Sequence, residues 1–425
     1  ARLRELNRYL VHINKGTRRE VAKPPLVVAT GHGHLLEVIG RGGCYQCGLV
    51  CNRNEYRYSN GREVNRKCHA QEYYLPWTYS QEDEPVDTFC DAPTIANSYS
   101  LCVIELRNII NWLYDCHKLG YITEQETGLP LSRIGTRDFL EKLCHVIAYR
   151  EGFGDILAEG LVRMGDRVSA EARARFSPTI RVVGDTNKNA SRTYIANALL
   201  KAMEPRENKP LTHEMFRSQS VWHIHQTQPD QSPVSSEVFH AIARTFWGSE
   251  EAGDLSSYEG KALAVKKIQN RQYVKESLGL CDFAVPMMFS YNTPDKVGDP
   301  ELMFKMFSAV TGIGGEQLER CAERIFTFQR AILVREGRRV PEADFPPDYD
   351  FTEPLGNNYF SKQVIVPGLG DEVVDLTGKM LDRDKYTGML KEYYRLRGWD
   401  EETGLPEAET LVALGLDELV SGFRM

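Results

Sequence analysis

The sequence has little that would tie it to a membrane, to nucleic acid or to a nucleotide. No apolar run approaches the roughly 20 residues that a membrane-spanning helix needs, and the start carries no secretory signal. Acidic residues outnumber basic ones, 59 to 52, for a formal charge of −7, so the totals offer no basic face for a phosphate backbone. There is no GxGxxG, no P-loop and no alternation of strand and helix patterns, which argues against a nucleotide-binding parallel sheet. No self-similarity recurs at a period of 20 to 50 residues. Strand signals are few and short, in "KPPLVVAT" and "KQVIVPG". A cytoplasmic location is the expectation from these absences. An initiating Met is also lacking. The chain opens at "ARLRELNRYL", already in a helix-like pattern of Leu3, Leu6 and Leu10, so a preceding N-terminal portion is expected.

What is present is mostly helical periodicity. A chain of 425 residues with 42% hydrophobic and 26% charged residues has the composition of a globular protein and the length of two domains. "IELRNIINWLYDCHKL", 104–119, carries Leu106, Ile109, Ile110 and Leu113 at helical spacing and stops at Gly120. "DFLEKLCHVIAYRE", 138–151, repeats the pattern up to Gly152, and Asp155 is placed to cap "ILAEGLVRMG". "GDPELMFKMFSAVTG" has Asp299 as N-cap, Pro300 at the first helical position and Gly312 after the last turn. A further helix is expected from 316 to about 335, and a Gly/Pro/Asp-rich excursion from 340 to 372. The class is mainly α, in two multihelical domains. "GDTNKNASR" interrupts the pattern near 190–200. The expected division is a leading segment 1–30, a helical domain 31–195 and a second helical domain 196–425.

Ten cysteines in such a chain argue for metal or redox use over a disulfide framework. Cys44, Cys47 and Cys51 stand in "GRGGCYQCGLVCNR" as C-x2-C-x3-C. This is most of a metal site, and it leaves zinc, iron–sulfur and coincidence open. Zinc sites usually add a second C-x2-C or a His pair, and a second C-x2-C is lacking here. A cubane cluster is often held by a tight run plus one distant cysteine. Cys281, on the turn after Gly279 in "ESLGLCDF", is the remote candidate. Cys68, Cys90, Cys116, Cys144 and Cys321 stand singly and are expected to pack as small hydrophobes.

Taken together, several segments resemble the aldehyde:ferredoxin oxidoreductase family of tungsten and molybdenum enzymes. They are the cysteine run, "EYY" at 72–74, "IANSYSLCVIELRNIINWLYDCHKLG" at 95–120, "IAYREGFGDILAEG" at 147–160, "MEPR" at 203–206, "GLCD" at 279–282 and "EYYRLRGWDEETGLP" at 392–406. They occur in the family's order and span nearly the whole chain. The resemblance implies a [4Fe–4S] cluster on Cys44, Cys47, Cys51 and Cys281, and a metal held by two pyranopterins. It also implies that the family's β-rich N-terminal domain is absent from this chain. The family's pterin-binding turn, D-x-x-G-L-(D/C), reads "NSYSLC" here for Asn97–Cys102 and "ESLGLC" for Glu276–Cys281. Asn97, Leu101, Glu276, Gly279 and Leu280 are thereby implied as cofactor-binding. Ser100 stands where the family has Gly. Cys102 stands where many aldehyde-oxidising members have Asp. A thiolate there can bind tungsten, since soft metals take soft ligands, and it resembles the class II benzoyl-CoA reductase catalytic subunit of the same family.

The resemblance also implies a Glu shortly after the cysteine run, matched by Glu72, and a His before the distant cysteine. "SVWHIHQTQ" offers His223 and His225, which would share a face on an extended strand. His32 and His34 form a similar pair in a glycine-rich setting. All five are candidate proton donors. The expected function is passage of low-potential electrons through the cluster to a buried metal and on to an aromatic acyl-CoA. Oxidation of aldehydes to carboxylic acids is the rival, and an iron–sulfur electron-transfer module is the non-enzyme alternative. The expected partners are the substrate, a ferredoxin or iron–sulfur subunit, and further subunits of an oligomer or hetero-complex.

Overall fold

The computed structural model describes residues 27–29, 35–41, 53–58, 60–67, 73–75, 77–78, 80–85, 87–175, 177–180, 183–185, 194–204, 209–282, 284–356 and 364–423. Backbone contacts divide the chain into two compact units, Ala1–Asn187 and Lys188–Met425. Both are mainly helical. Among the described residues no helix is long and apolar enough to cross a membrane.

The first unit opens with a four-stranded antiparallel sheet, β1 (Val27–Ala29), β2 (Leu35–Arg41), β3 (Arg53–Arg57) and β4 (Glu63–Lys67), in sequential order. The register pairs Ala29 with Leu35, and Arg41 with Asn54. Only β1 lies in a segment with a readable strand signal. β3 and β4, "RNEYR" and "EVNRK", are short and mostly polar, so they lack the alternation that marks a half-buried strand.

Three helices then build the core of this unit: α1 (Asp87–Ser98), α2 (Val103–Lys118) and α3 (Arg137–Tyr149). In α2 the 3–4 spacing of Leu106, Ile109, Ile110 and Leu113 places them in one buried stripe, with Trp112 and Cys116 beside it. Trp112 Nε1 donates to Ala172 O at 2.8 Å. Leu119 closes α2, and Gly120 follows at φ 74°. α3 starts at Thr136, whose hydroxyl accepts from Phe139 N at 3.2 Å, and ends at Arg150 in the left-handed region, before Gly152. Asp155 is not a cap. The short helix after α3 begins at Gly154, where a Cβ would lie 2.1 Å from Val146 O, so only glycine allows this approach. Asp155 lies inside that helix and accepts from Arg150 (2.7 Å) and Arg167 (2.8 Å). A two-stranded ladder, β5 (Ser177–Ile180) with β6 (Val183–Asp185), follows.

The second unit contains α4 (Ile195–Met203), α5 (Lys209–Thr227), α6 (Ser236–Ile242), α7 (Lys261–Ser277), α8 (Leu302–Thr311), α9 (Gly315–Arg335) and, after the hairpin β7 (Ile365–Pro367) and β8 (Val373–Asp375), α10 (Arg383–Arg397). α7 packs against α4, α9 and α10. Its polar residues Gln269, Asn270, Arg271, Gln272 and Lys275 are all buried. Each is bonded. Gln269 accepts from Tyr393 Oη (2.6 Å) and Arg397 (2.9 Å), and Arg271 meets Glu214 at 2.8 Å. α8 begins at Leu302, later than the Asp299–Pro300 signal. Asp299 caps a preceding turn, accepting from Glu301 N at 2.8 Å, and Glu301 takes the N-cap place. Gly312 ends α8 at φ 76°.

Candidate functional site

The two implied pterin-binding turns share one local structure. After α1, Leu101 N donates to Ala96 O (3.0 Å) and Ser100 N to Asn97 O (3.0 Å). After α7, Leu280 N donates to Lys275 O (2.9 Å) and Gly279 N to Glu276 O (3.1 Å). Both are Schellman closures, in which a residue in the left-handed region lets the last helical carbonyls find donors. Ser100 adopts φ 58° and Gly279 φ 65°. In each turn a serine also bonds back into its helix, three residues back in the first and four in the second. Ser98 Oγ donates to Ile95 O and Ser277 Oγ to Tyr273 O, each at 2.7 Å. Asn97 and Glu276 are both exposed at the head of their turn. Serine therefore takes the path that glycine takes, at the cost of a side chain in the left-handed region.

Each turn ends in an exposed thiol, Cys102 in the first unit and Cys281 in the second. Cys102 is the N-cap residue of α2, with φ −75° and ψ 119°, and its carbonyl accepts from Leu106 N at 3.0 Å. Its Sγ thus stands at the positive end of a 16-residue helix, a setting that favours a negative ligand atom. Cys281 is held differently. Its carbonyl accepts from Ala284 N and Val285 N, both at 3.0 Å. Behind it, the buried Lys275 Nζ meets Asp282 Oδ1 at 3.1 Å and donates to Val285 O at 3.2 Å. Arg217 Nη1 donates to Asp282 O at 3.4 Å. No sequence signal marks Lys275, since a lysine in a polar helix reads as a solvated one; Asp282 closes the "GLCD" segment but nothing in the sequence pairs it with Lys275.

The histidines 223 and 225 do not lie on a strand. Both are in α5, where positions two apart point to opposite sides of the helix. Both are half-buried. His225 Nδ1 is 2.8 Å from Ser232 O. A carbonyl can only accept, so Nδ1 carries the proton in that bond and Nε2 is left for another partner. Glu72, His32, His34, Cys44, Cys47, Cys51 and Cys68 lie outside the described residues. Next to Glu72, Tyr73, Tyr74 and Leu75 are buried, and burial pushes both tyrosine hydroxyls above their usual range. Tyr74 Oη donates to Thr136 O at 2.8 Å, fixing this apolar segment to the start of α3.

Cys90, Cys116 and Cys144 are buried, while Cys321 is exposed on α9. Burial pushes the Cys116 and Cys144 thiols up to about 12 and raises Cys90 as well, so they are not thiolates at neutral pH. Among the described residues no group of three or more His, Cys, Asp and Glu converges as a metal site. Three of the four implied cluster ligands lie outside those residues. The described donors are chemically suited to a soft metal or cluster: two exposed sulfurs, one on each of the matched turns.

Comparison with known proteins identifies the family. The profile of aldehyde ferredoxin oxidoreductase, domains 2 and 3, matches residues 29–416. The chain belongs to the aldehyde ferredoxin oxidoreductase family. It is 25% identical over 386 residues to a tungsten-containing aldehyde ferredoxin oxidoreductase of Pyrococcus abyssi, covering 89% of this chain and 53% of that protein. It is 23% identical over 321 residues to the aliphatic sulfonate oxidoreductase, WOR-like subunit, of Pyrococcus furiosus, covering 74% of this chain and 40% of that protein. A chain of the active site complex BamBC of benzoyl-coenzyme A reductase, with 1,5-dienoyl-CoA, shares the fold. Its TM-score is 0.55 at 19% identity, over 91% of this chain and 54% of that one. The chain spans about half the length of the curated relatives it matches.

Proposed function

We propose that this chain is the part of a tungsten-pterin oxidoreductase that holds the metal cofactor and one [4Fe–4S] cluster, and that its reaction is reduction of an aromatic acyl-CoA. The observation that carries the reading is the pair of equivalent Schellman turns, each closing on an exposed cysteine. In this reading Cys44, Cys47, Cys51 and Cys281 hold the cluster and Cys102 ligates the tungsten (or molybdenum). The turns offer Asn97, Leu101, Glu276, Gly279 and Leu280 to the two pterin edges. When bound, the cofactors supply low-potential electron transfer; the chain supplies position and protons. Glu72, His223, His225, His32 and His34 are the proton-donor candidates. In His225, the bond at Nδ1 fixes the ring while Nε2 stays available. A ferredoxin or an iron–sulfur subunit delivers the electrons, and the protein works in the cytoplasm as an oligomer or hetero-complex.

Oxidation of aldehydes to carboxylic acids is the second reading. It is favoured by the names of the curated relatives, which are tungsten-containing aldehyde ferredoxin oxidoreductases. Cys102 separates the two. A thiolate at Cys102 would ligate the metal and leave less room for the oxygen transfer that aldehyde oxidation needs. The test is C102D in the full-length protein, read by X-ray absorption at the metal and by ring reduction. Loss of one sulfur neighbour, with ring reduction falling far more than cofactor content, supports the acyl-CoA reading. An unchanged sulfur count makes Cys102 a packing residue and removes the reason to prefer acyl-CoA over aldehyde.

A further inference from the structure

We infer that Lys275 is a positioning residue for Cys281: it locks the loop that carries the sulfur and, with Asp282, sets the local charge there. A charged side chain with 2% of its surface exposed is costly unless its partners compensate it. The other buried cations of α7 serve the packing of the unit. Arg271 ties the helix to Glu214 and to Phe246 O, and Lys261 donates to Glu251 O and Glu259 O. Lys275 differs. The partners of its ammonium, Asp282 and Val285, both lie in the segment around Cys281.

The bonds close a ring around the cysteine. Lys275 O accepts from Leu280 N on one side of Cys281. On the other side Lys275 Nζ donates to Val285 O, and Val285 N donates back to Cys281 O. One residue thus fixes the backbone before and after the sulfur. The corresponding position of the first turn is Ala96, which has no side chain to do this. Cys102 takes its rigidity from α2, whose first turn it caps. Cys281 is not followed by a helix, and the side chain of Lys275 substitutes for one.

The electrostatic half of this inference rests on Cys281 as a cluster ligand; the positional half does not. Two charge-changing variants and two readouts separate them. In cluster-free full-length protein, K275M is expected to raise the alkylation rate of Cys281 severalfold while leaving that of Cys102 unchanged. An unchanged rate at Cys281 overturns the positional role. In the loaded protein, K275M leaves Asp282 unpaired beside the ligand and disfavours the reduced cluster. D282N leaves the ammonium unpaired and favours it. The expected shifts are of opposite sign, each up to about tenfold in the one-electron equilibrium, ~59 mV. Equal or same-signed shifts overturn the charge role, because a mechanical clamp loosened from either side moves the potential one way. D282N, partly exposed, keeps the test available if K275M does not fold. Retention of the four-iron signal in C281A overturns the cluster reading itself, and the alkylation result alone then upholds or overturns the clamp.

Discussion

The helices that precede the two turns, α1 and α7, end in the same hydrogen bonds and are built on opposite principles. α1 buries Phe89, Cys90, Ala92, Ile95 and Ala96, and Asp91 as its one buried acid. α7 buries Gln269, Asn270, Arg271, Gln272 and Lys275, and Gln269, Asn270 and Arg271 are compensated by Tyr393 and Arg397 of α10, Glu323 of α9 and Glu214 of α5. One turn therefore stands on an apolar foundation and the other on an ionic one. The backbone path of a helix end is set locally, by the need to satisfy its last carbonyls. The charge and rigidity around the residue it presents are set by what lies beneath. Two sites of one shape can in this way hold thiols with different duties.

The sharpest way to break the comparison is to remove each thiol. C281A is expected to lose the four-iron signal in paramagnetic resonance, whereas C102A keeps it; an intact cluster in C281A would end the assignment. A cheaper measurement precedes it. In native, cofactor-free protein, Cys102, Cys281 and Cys321 should alkylate readily, while Cys90, Cys116 and Cys144 should react only on unfolding, because burial holds their thiols neutral.

The foundations come next. In the second unit Asp344 is fully buried between Arg330 (2.8 and 2.5 Å), Arg338 (2.8 Å) and Tyr394 Oη (2.5 Å). Burial alone would raise its carboxyl, but the charges of Arg330 and Arg338 outweigh burial and hold it below the usual range. D344N is expected to cost about 3–5 kcal/mol, since it strands two buried guanidiniums. The Asp344 contribution is fully present above about pH 4 and is lost as pH falls through the depressed folded value. The variant should therefore flatten the acid limb of stability, measured by urea unfolding at several pH values. In the first unit Asp91 is paired with Arg62 and Arg137, which are half in water. D91N is expected to cost only about 1–2 kcal/mol. Equal costs would show that the two foundations do not differ as described.

These contrasts explain what was legible in the sequence. The apolar stripe of α2 was readable because Leu106, Ile109, Ile110 and Leu113 obey the helical period. The turns were readable as a near-repeat, and the structure bears out the mainly helical class. The central place of α7 was not, because a helix rich in Lys, Gln, Asn and Arg reads as a solvated one until its partners are known, and those of Arg271, Asn270 and Gln269 lie 57, 127 and 128 positions away. His223 and His225 were misread as a strand pair because α5 has only a weak apolar face to announce its period. The β2–β4 strands were missed for their short, mixed composition. Asp155 was misassigned because the helix start was fixed by a close approach of Gly154 to Val146, a tertiary fact with no local mark.

The smallest expected effect tests the comparison at its point of identity. If both turns are the same closure, the left-handed position should carry the same penalty in each, with opposite sign on exchange. A Cβ added at Gly279 meets nothing within 4 Å, so G279A pays only for its φ of 65°. That is about 1 kcal/mol. S100G should recover up to about the same amount, less the entropy that glycine adds to the unfolded chain. Neither change should alter thiol exposure at Cys102 or Cys281, since neither removes a donor or acceptor of the hydrogen bonds that place them. Hydrogen exchange at Leu101 and Leu280, the amides that close the two turns, reads the effect directly. If S100G slows exchange at Leu101 and G279A speeds it at Leu280, the two turns are one structure with a strained and a relaxed version. If S100G speeds it, the serine side chain contributes to the first turn something glycine cannot supply, and the equivalence of the two turns ends at Ser100.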